Sequence, residues 1–374
     1  MKRRFTALMV SLLAFALLFS VTAIPVSAET TYTSIGGSTT FTKNLVVDSD
    51  ANIPNIVFHY SIRRGNAKAA TATTIEILES EVGGGTVGTA SFSNDDTQHT
   101  IAGLPSDTDR SNPTAGKKFA QKSVSVSFSQ YSFSKPGVYR YVITEASSTA
   151  LHGVTYDINA TRNLDVFVVA DENNVLSVGG YVLRDSETDI GTDGKYTEDA
   201  DVKSAGYTNT LTQYDFSFNK TIAGNQGDKN KRFSFSLNIS GANPGVYPVI
   251  TNDVTDNPTS ITVSTSGTVS AQFSLTDGSS VQVIGLNQNA VCTVTEEAED
   301  YTATYKLDNG ETVSGVSSGE VMLANSDHTV AFTNTRNGII PTGVIMTVAP
   351  FAIGICLFGA VIIFIICRRK RNRY

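Results

Sequence analysis

Cysteine is almost missing from this chain of 374 residues. Of the three present, Cys356 and Cys367 lie in one apolar run near the C-terminus, which leaves Cys292 alone in the body. That excludes an internal disulfide, so an exported body must be held by a large core or by another covalent bond. Cys292 sits in the apolar stretch 290–294 and is expected to pack as a small hydrophobe. Long amphipathic patterns of helical period are lacking as well, which argues against bundles and α/β layers. His59, His99, His152 and His328 are scattered, so no zinc pattern forms and no metal is expected. Gly315-Val316-Ser317-Ser318-Gly319 fits the nucleophile-elbow pattern but lacks the strand-to-helix setting, and is read as a polar turn. The acidic run of Asp185, Glu187, Asp189, Asp193, Glu198, Asp199 and Asp201 lacks the spacing of a calcium loop and is read as solvated. With no nucleophile and base pair and no cofactor motif, neither an enzyme acting on other molecules nor a cofactor is expected.

The two ends carry address signals. Residues 1–28 begin with Lys2, Arg3 and Arg4, continue through an apolar stretch, and end on small residues at Val26 and Ala28, as in a signal peptide. At the other end the uncharged run 344–367 exceeds the roughly 20 residues needed to span a bilayer, and a basic cluster follows at Arg368-Arg369-Lys370-Arg371. Ile340-Pro341-Thr342-Gly343 stands just outside it. A plain anchor needs no such segment, whereas a transpeptidase cutting between Thr342 and Gly343 does, so 338–374 is read as a cell-wall sorting signal. Eight of the 28 basic residues lie in these two ends, leaving 20 against 35 acidic ones, a net charge of −15 for the exported portion. Such a surface argues against nucleic acid.

Between the ends the pattern is that of sheet. Ser123-Val124-Ser125-Val126-Ser127-Phe128 and Phe233-Ser234-Phe235-Ser236-Leu237-Asn238-Ile239 alternate strictly. Comparable strand stretches are expected at 155–169, 261–263, 269–275 and 281–286, with a turn at Asp277-Gly278. The fold class is all-β, with sandwiches and Greek-key connections. Internal repetition divides it. Phe41-Thr42-Lys43 is echoed by Phe218-Asn219-Lys220, Val142-Ile143-Thr144-Glu145 by Thr293-Val294-Thr295-Glu296, and Tyr207-Thr208-Asn209-Thr210 by Phe332-Thr333-Asn334-Thr335. Two related domains, 29–211 and 212–337, account for the same order occurring twice.

Each triplet places lysine, glutamate and asparagine among apolar and aromatic residues. Burial drives the lysine to lose its proton and the carboxyl to hold one. A neutral amine beside a carboxamide is a nucleophile beside an electrophile, and the acid between them polarises the carbonyl and shuttles protons. The expected products are amide bonds Lys43–Asn209 and Lys220–Asn334, with Glu145 and Glu296 as the autocatalytic acids. Glu296 is preferred to its neighbour Glu297, whose side chain faces the other way along a strand.

Through these triplets, Lys135-Pro136-Gly137-Val138-Tyr139-Arg140-Tyr141, Gly153-Val154-Thr155-Tyr156-Asp157 and Ile340-Pro341-Thr342-Gly343, the chain resembles the sortase-assembled major pilins of Gram-positive bacteria. The likeness is to the two-domain streptococcal T-antigen type with pilin isopeptide linkage domains. The resemblance implies two tandem immunoglobulin-like sandwiches, each with a self-formed Lys to Asn bond, in a pilus shaft on the cell surface. It implies a pilus-specific sortase that joins Thr342 to a lysine of the next subunit, with Lys203 the first choice and Lys195 the second. Identical subunits, accessory pilins, peptidoglycan and a host surface are the implied partners. The rival is a singly anchored adhesin with the same crosslinked stalk. One departure stands out: Ile340 precedes Pro341, where the pilin variant of the motif has valine and the common wall-anchor motif leucine.

Overall fold

The computed structural model describes residues 33–34, 36–80, 85–104, 116–148, 152–197 and 203–338. The leader 1–28, the sorting motif 340–343 and the apolar run 344–367 lie outside them. Among the described residues the secondary structure is strand, apart from a single 3-10 turn at Ile101–Gly103, and no helix is long and apolar enough to cross a membrane.

The N-terminal half is built on eight principal strands, β1 (Ser38–Asp48), β2 (Tyr60–Arg64), β3 (Lys117–Ser127), β4 (Gly137–Glu145), β5 (Val154–Thr155), β6 (Thr161–Ala170), β7 (Val175–Arg184) and β8 (Gly206–Leu211). One sheet runs β7-β6-β4-β2 and the other β5-β8-β1-β3, with short strands at their edges. Phe41, Leu45, Val124 and Val126 from the second sheet meet Tyr139, Tyr141, Leu164 and Val166 from the first in one buried cluster. The C-terminal half repeats the plan with β9 (Gln213–Ala223), β10 (Phe233–Ser240), β11 (Gly245–Thr251), β12 (Val269–Leu275), β13 (Ser280–Asn287), β14 (Val291–Glu296), β15 (Thr302–Leu307) and β16 (His328–Thr335). Here β11-β13-β9-β16-β15 forms one sheet and β12-β10-β14 the core of the other, packed around Phe218, Phe235, Phe273 and Phe332. Alternation explains β10: Phe233, Phe235, Leu237 and Ile239 are buried while Ser234, Asn238 and Ser240 are exposed.

In each half the first long strand and the last one are neighbours and run parallel, β1 beside β8 and β9 beside β16. A hairpin cannot make this pairing, because parallel neighbours need a crossover. Here almost the whole half intervenes, so the two ends of each half are brought side by side.

Two expectations need correction. The stretch 155–169 is not one strand: β5 ends at Thr155, the chain leaves the ladder, and β6 starts at Thr161. The acidic run is not simply solvated either. Lys68 holds Asp189 at 2.7 Å and Glu187 at 3.3 Å, and Arg162 holds Asp185 at 2.6 Å. The connection after β7 lies on the outer face of its own sheet, where Ile190 and Tyr196 cover Ile77, Val138 and Phe167. Beneath it Arg140 pairs with Asp165 at 2.6 Å and donates to Thr188 O, and Tyr196 Oη donates to Asp165. Losing one member of such a buried pair would strand the other charge, typically at a cost of about 3–5 kcal/mol. Among the described residues no cluster suited to a metal ion occurs. Cys292 is fully buried, and burial pushes its thiol up to about 12, so it packs as an inert hydrophobe.

Thr212 alone separates β8 from β9. Around it the two halves share hydrogen bonds, Asp48 N to Gln213 Oε1, Asn52 Nδ2 to Val246 O, and Asn243 Nδ2 to His152 O, while Gln213 Nε2 donates to Gly285 O within its own half. Gly285 has a positive φ of 76°, and a Cβ there would meet Ala51 at 2.4 Å. Only glycine fits this crossing.

Candidate functional site: two buried Lys, Glu and Asn clusters

Parallel register places the first two members of each cluster. In the β1–β8 pair Leu45 faces Asn209, and in the β9–β16 pair Ile222 faces Asn334. Each lysine stands two positions earlier on its strand, on the same face of the sheet and diagonal to the asparagine. Glutamate arrives from the opposite sheet, Glu145 as the last residue of β4 and Glu296 as the last of β14. Glu297, the next residue, is exposed. The six residues of the two triplets are all buried, from 0 % to 4 % exposed.

In the first cluster Lys43 Nζ lies 2.5 Å from Glu145 Oε1, and Asn209 Nδ2 donates to the same oxygen at 3.3 Å. In the second, Lys220 contacts Glu296 Oε1 directly and Asn334 Nδ2 donates to it at 2.7 Å. Aromatic rings close both: Phe58 lies 4.5 Å from Lys43 Nζ and Phe233 lies 4.3 Å from Lys220 Nζ, ring centroid to nitrogen. Water has no place at either amine, and the ionised forms suffer for it.

Burial pulls the Lys43 ammonium from the ordinary lysine range down to about 8, against the opposing pull of Glu145. It brings Lys220 to about 8 in the same way, against Glu296. Burial also pushes the Glu296 carboxyl up, with Lys220 resisting. A proton passed from lysine to glutamate therefore leaves a free amine and a carboxylic acid beside a carboxamide. Bond formation in chains released from denaturant is expected to accelerate as pH rises toward about 8, since the neutral fraction of an amine grows about tenfold per unit below its pKa. Branched peptides counted by mass spectrometry after timed acid quenching check this, and a flat profile below that pH would remove the neutral amine from the mechanism.

Residues 39–212 match the Spy0128-like isopeptide containing domain, and residues 214–336 match a domain of unknown function, DUF7601. A pilin of Streptococcus pyogenes serotype M1 is 30% identical over 387 aligned positions, spanning 96% of this chain and 98% of that protein. The chain belongs to the pilin family. Two solved members share the fold: the major pilin of Streptococcus pyogenes, with TM-score 0.51 and 22% identity over 80% of this chain and 99% of that one, and the T3.2 major pilin of the same species, with TM-score 0.52 and 19% identity over 80% and 97%. The homologues of this pilin-family chain are structural pilins rather than enzymes, and pilus proteins of the Gram-positive surface.

Of the remaining expected site residues, Lys203 is exposed and pairs through its backbone with Arg184. It borders a cavity of about 210 Å³ that is also lined by Thr39, Phe41 and Tyr181. Lys195 is exposed in the connection after β7, 3.6 Å from Asp193. Ile340, Pro341, Thr342 and Gly343 lie outside the described residues. The roles of three neighbours of the first cluster, Tyr60, Asp157 and Arg162, escaped the sequence reading. Tyr60 Oη donates to Glu145 Oε1 at 3.2 Å, and burial together with that carboxylate pushes its phenol up, so it stays a neutral donor. Asp157 N donates to Asn209 Oδ1 at 2.9 Å, and Arg162 Nη2 donates to Asp157 Oδ1 at 3.0 Å. Asp157 lies in the break after β5, where the alternation continues but Asp157 and Asn159 are residue types depleted in strands; that composition was the available signal.

Proposed function

We propose that the chain is the shaft subunit of a covalently polymerised pilus, made of two domains, 29–211 and 212–337, each locked by one amide bond. The observation that carries this is the twofold occurrence of one geometry, lysine diagonal to asparagine across parallel terminal strands with glutamate reaching over from the other sheet. In each cluster the amine attacks the carboxamide carbon, the C–N bond to the amide nitrogen breaks, and that nitrogen leaves as ammonia with protons relayed by the glutamate.

In this reading the leader 1–28 is removed on export. A pilus-specific sortase then cleaves between Thr342 and Gly343, and the Thr342 acyl group passes to a lysine of an identical subunit, with Lys203 preferred over Lys195. The last acceptor is peptidoglycan, and accessory pilins and a host surface are the further partners. The run 344–367 holds the precursor in the membrane until transfer.

Wall extracts run under denaturing, reducing conditions should give a ladder of multimers, and the exported portion should be lighter than its sequence by two ammonia molecules. Monomer alone would favour a singly anchored adhesin. An undiminished mass would remove the two internal bonds.

A further inference from the structure

The two clusters differ around the oxygen that turns negative during the reaction. In the first, Asn209 Oδ1 accepts the main-chain N–H of Asp157 at 2.9 Å. In the second, Asn334 Oδ1 is buried and has no hydrogen-bond partner. Strand geometry causes the difference. β15 pairs with β16 as an unbroken ladder in which Ala303 faces Asn334 and Thr304 faces Thr333, so its N–H groups are engaged in or directed by the sheet. On the other side, β5 pairs with β8 only at Val154 and Thr155. Continued register would set Asp157 opposite Thr208, the place Thr304 holds opposite Thr333. Because the chain has left the ladder there, the N–H of Asp157 turns to the asparagine side chain instead.

The Asp157 carboxylate fixes this turn. Its Oδ2 accepts Thr208 N at 2.9 Å, and its Oδ1 accepts Asn159 N at 3.1 Å and Arg162 Nη2 at 3.0 Å. The donors also settle which way the carboxamide points, with oxygen toward the N–H and nitrogen toward the Glu145 carboxylate.

We propose that the main-chain N–H of Asp157 is an oxyanion donor for the Lys43–Asn209 bond, positioned by the Asp157 carboxylate, and that the Lys220–Asn334 bond forms without an equivalent donor. When Lys43 Nζ bonds to the Asn209 carboxamide carbon, the carbonyl electrons move onto Oδ1. The donor is already in place and strengthens as that charge develops. As the carbonyl re-forms, Nδ2 leaves as ammonia, taking the proton that Lys43 gives up through Glu145. This inference rests on the crosslink reading above.

The test replaces the amide at residue 157 by an ester, by cell-free incorporation of the α-hydroxy analogue of aspartate into the exported portion. That deletes one N–H and keeps the side chain. Samples quenched in acid at intervals and digested give the amount of each branched peptide. The ester is expected to slow the Asn209 bond by roughly tenfold or more, with the Asn334 bond in the same molecules unchanged. Asp157→Asn supplies the second arm, since its carboxamide oxygen still accepts Thr208 N. Its amide nitrogen cannot accept Asn159 N and Arg162 Nη2, so this variant keeps the N–H but loses part of its positioning, and should slow the Asn209 bond by less than the ester while leaving the Asn334 bond unchanged. An ester with an unaltered rate, an ester that slows both bonds alike, or Asp157→Asn slowing the Asn209 bond as much as the ester would overturn the proposal. Absence of the Asn209 branched peptide from the unsubstituted chain would refute the crosslink itself, which is a separate result.

Discussion

Glu296→Ala is expected to reduce the mass deficit of the exported portion, relative to its own sequence, from two ammonia molecules to one, and to lower the melting temperature of its C-terminal half by roughly 10–20 °C. The proposed bond from Lys220 to Asn334 would close a loop over nearly that whole half. By the chain-entropy estimate used for disulfides, a loop of this size contributes about 5 kcal/mol, chiefly by restricting the unfolded chain. Glu296→Ala also strands Lys220 in its aromatic pocket without an acid, which adds to the loss. Asn334→Ala separates the two effects because it keeps the Lys220 and Glu296 pair and removes the electrophile. Its melting temperature should fall nearly as far. Scanning calorimetry beside intact mass makes the measurement, and two variants that melt with the unsubstituted protein and show the same mass deficit from their own sequences would show that no bond forms there.

Lys203→Ala is expected to abolish the multimer ladder while leaving both internal bonds intact. Transfer needs an amine at the surface, and Lys203 offers one that makes no ion pair among the described residues, beside a cavity whose lining includes Thr39, Phe41 and Tyr181. Lys195→Ala should leave the ladder unchanged, because its amine lies next to Asp193 and on the covering connection rather than at that cavity. Immunoblots of wall extracts from cells carrying each variant decide between them. A ladder that survives Lys203→Ala and disappears with Lys195→Ala reverses the assignment, and one that survives both moves the acceptor elsewhere.

Sheet patterning was legible because it is local. Period-two alternation at 123–128 and 233–239 is written in adjacent residues, and β3 and β10 cover these segments apart from Phe128, which lies just past the end of β3. The gathering of Lys43, Glu145 and Asn209 was legible for another reason: the order occurs twice, and charged or amide residues inside apolar strands ask for partners. Register was not legible. Nothing near Asn209 or Asn334 announces that each faces the residue two beyond its lysine, since parallel pairing is settled by everything folded in between. The break after Thr155 was read as continuous strand because Val154, Thr155 and 161–169 all suit a sheet; what ends β5 is the distant Thr208 N–H and Arg162, which capture the Asp157 carboxylate. Asp185 was misread for the same reason, as its cation is the buried Arg162 on another strand, whereas Glu187 and Asp189 pair with Lys68 at the solvated surface.

The crossing of Ala51 over Gly285 bears on the proposed filament as much as on the subunit. In a polymer of identical units any bend within one unit is copied into every other, so small angular play compounds along the length. A loose joint would give a coil whose end wanders, and a fixed one gives a fibre of constant pitch. With a single residue, Thr212, between the halves and side-chain to main-chain hydrogen bonds joining them, the subunit has little slack to compound. In the proposed polymer, close crossings such as Gly285 against Ala51 and Gly245 against Pro54 would set how straight a structure many times longer can be.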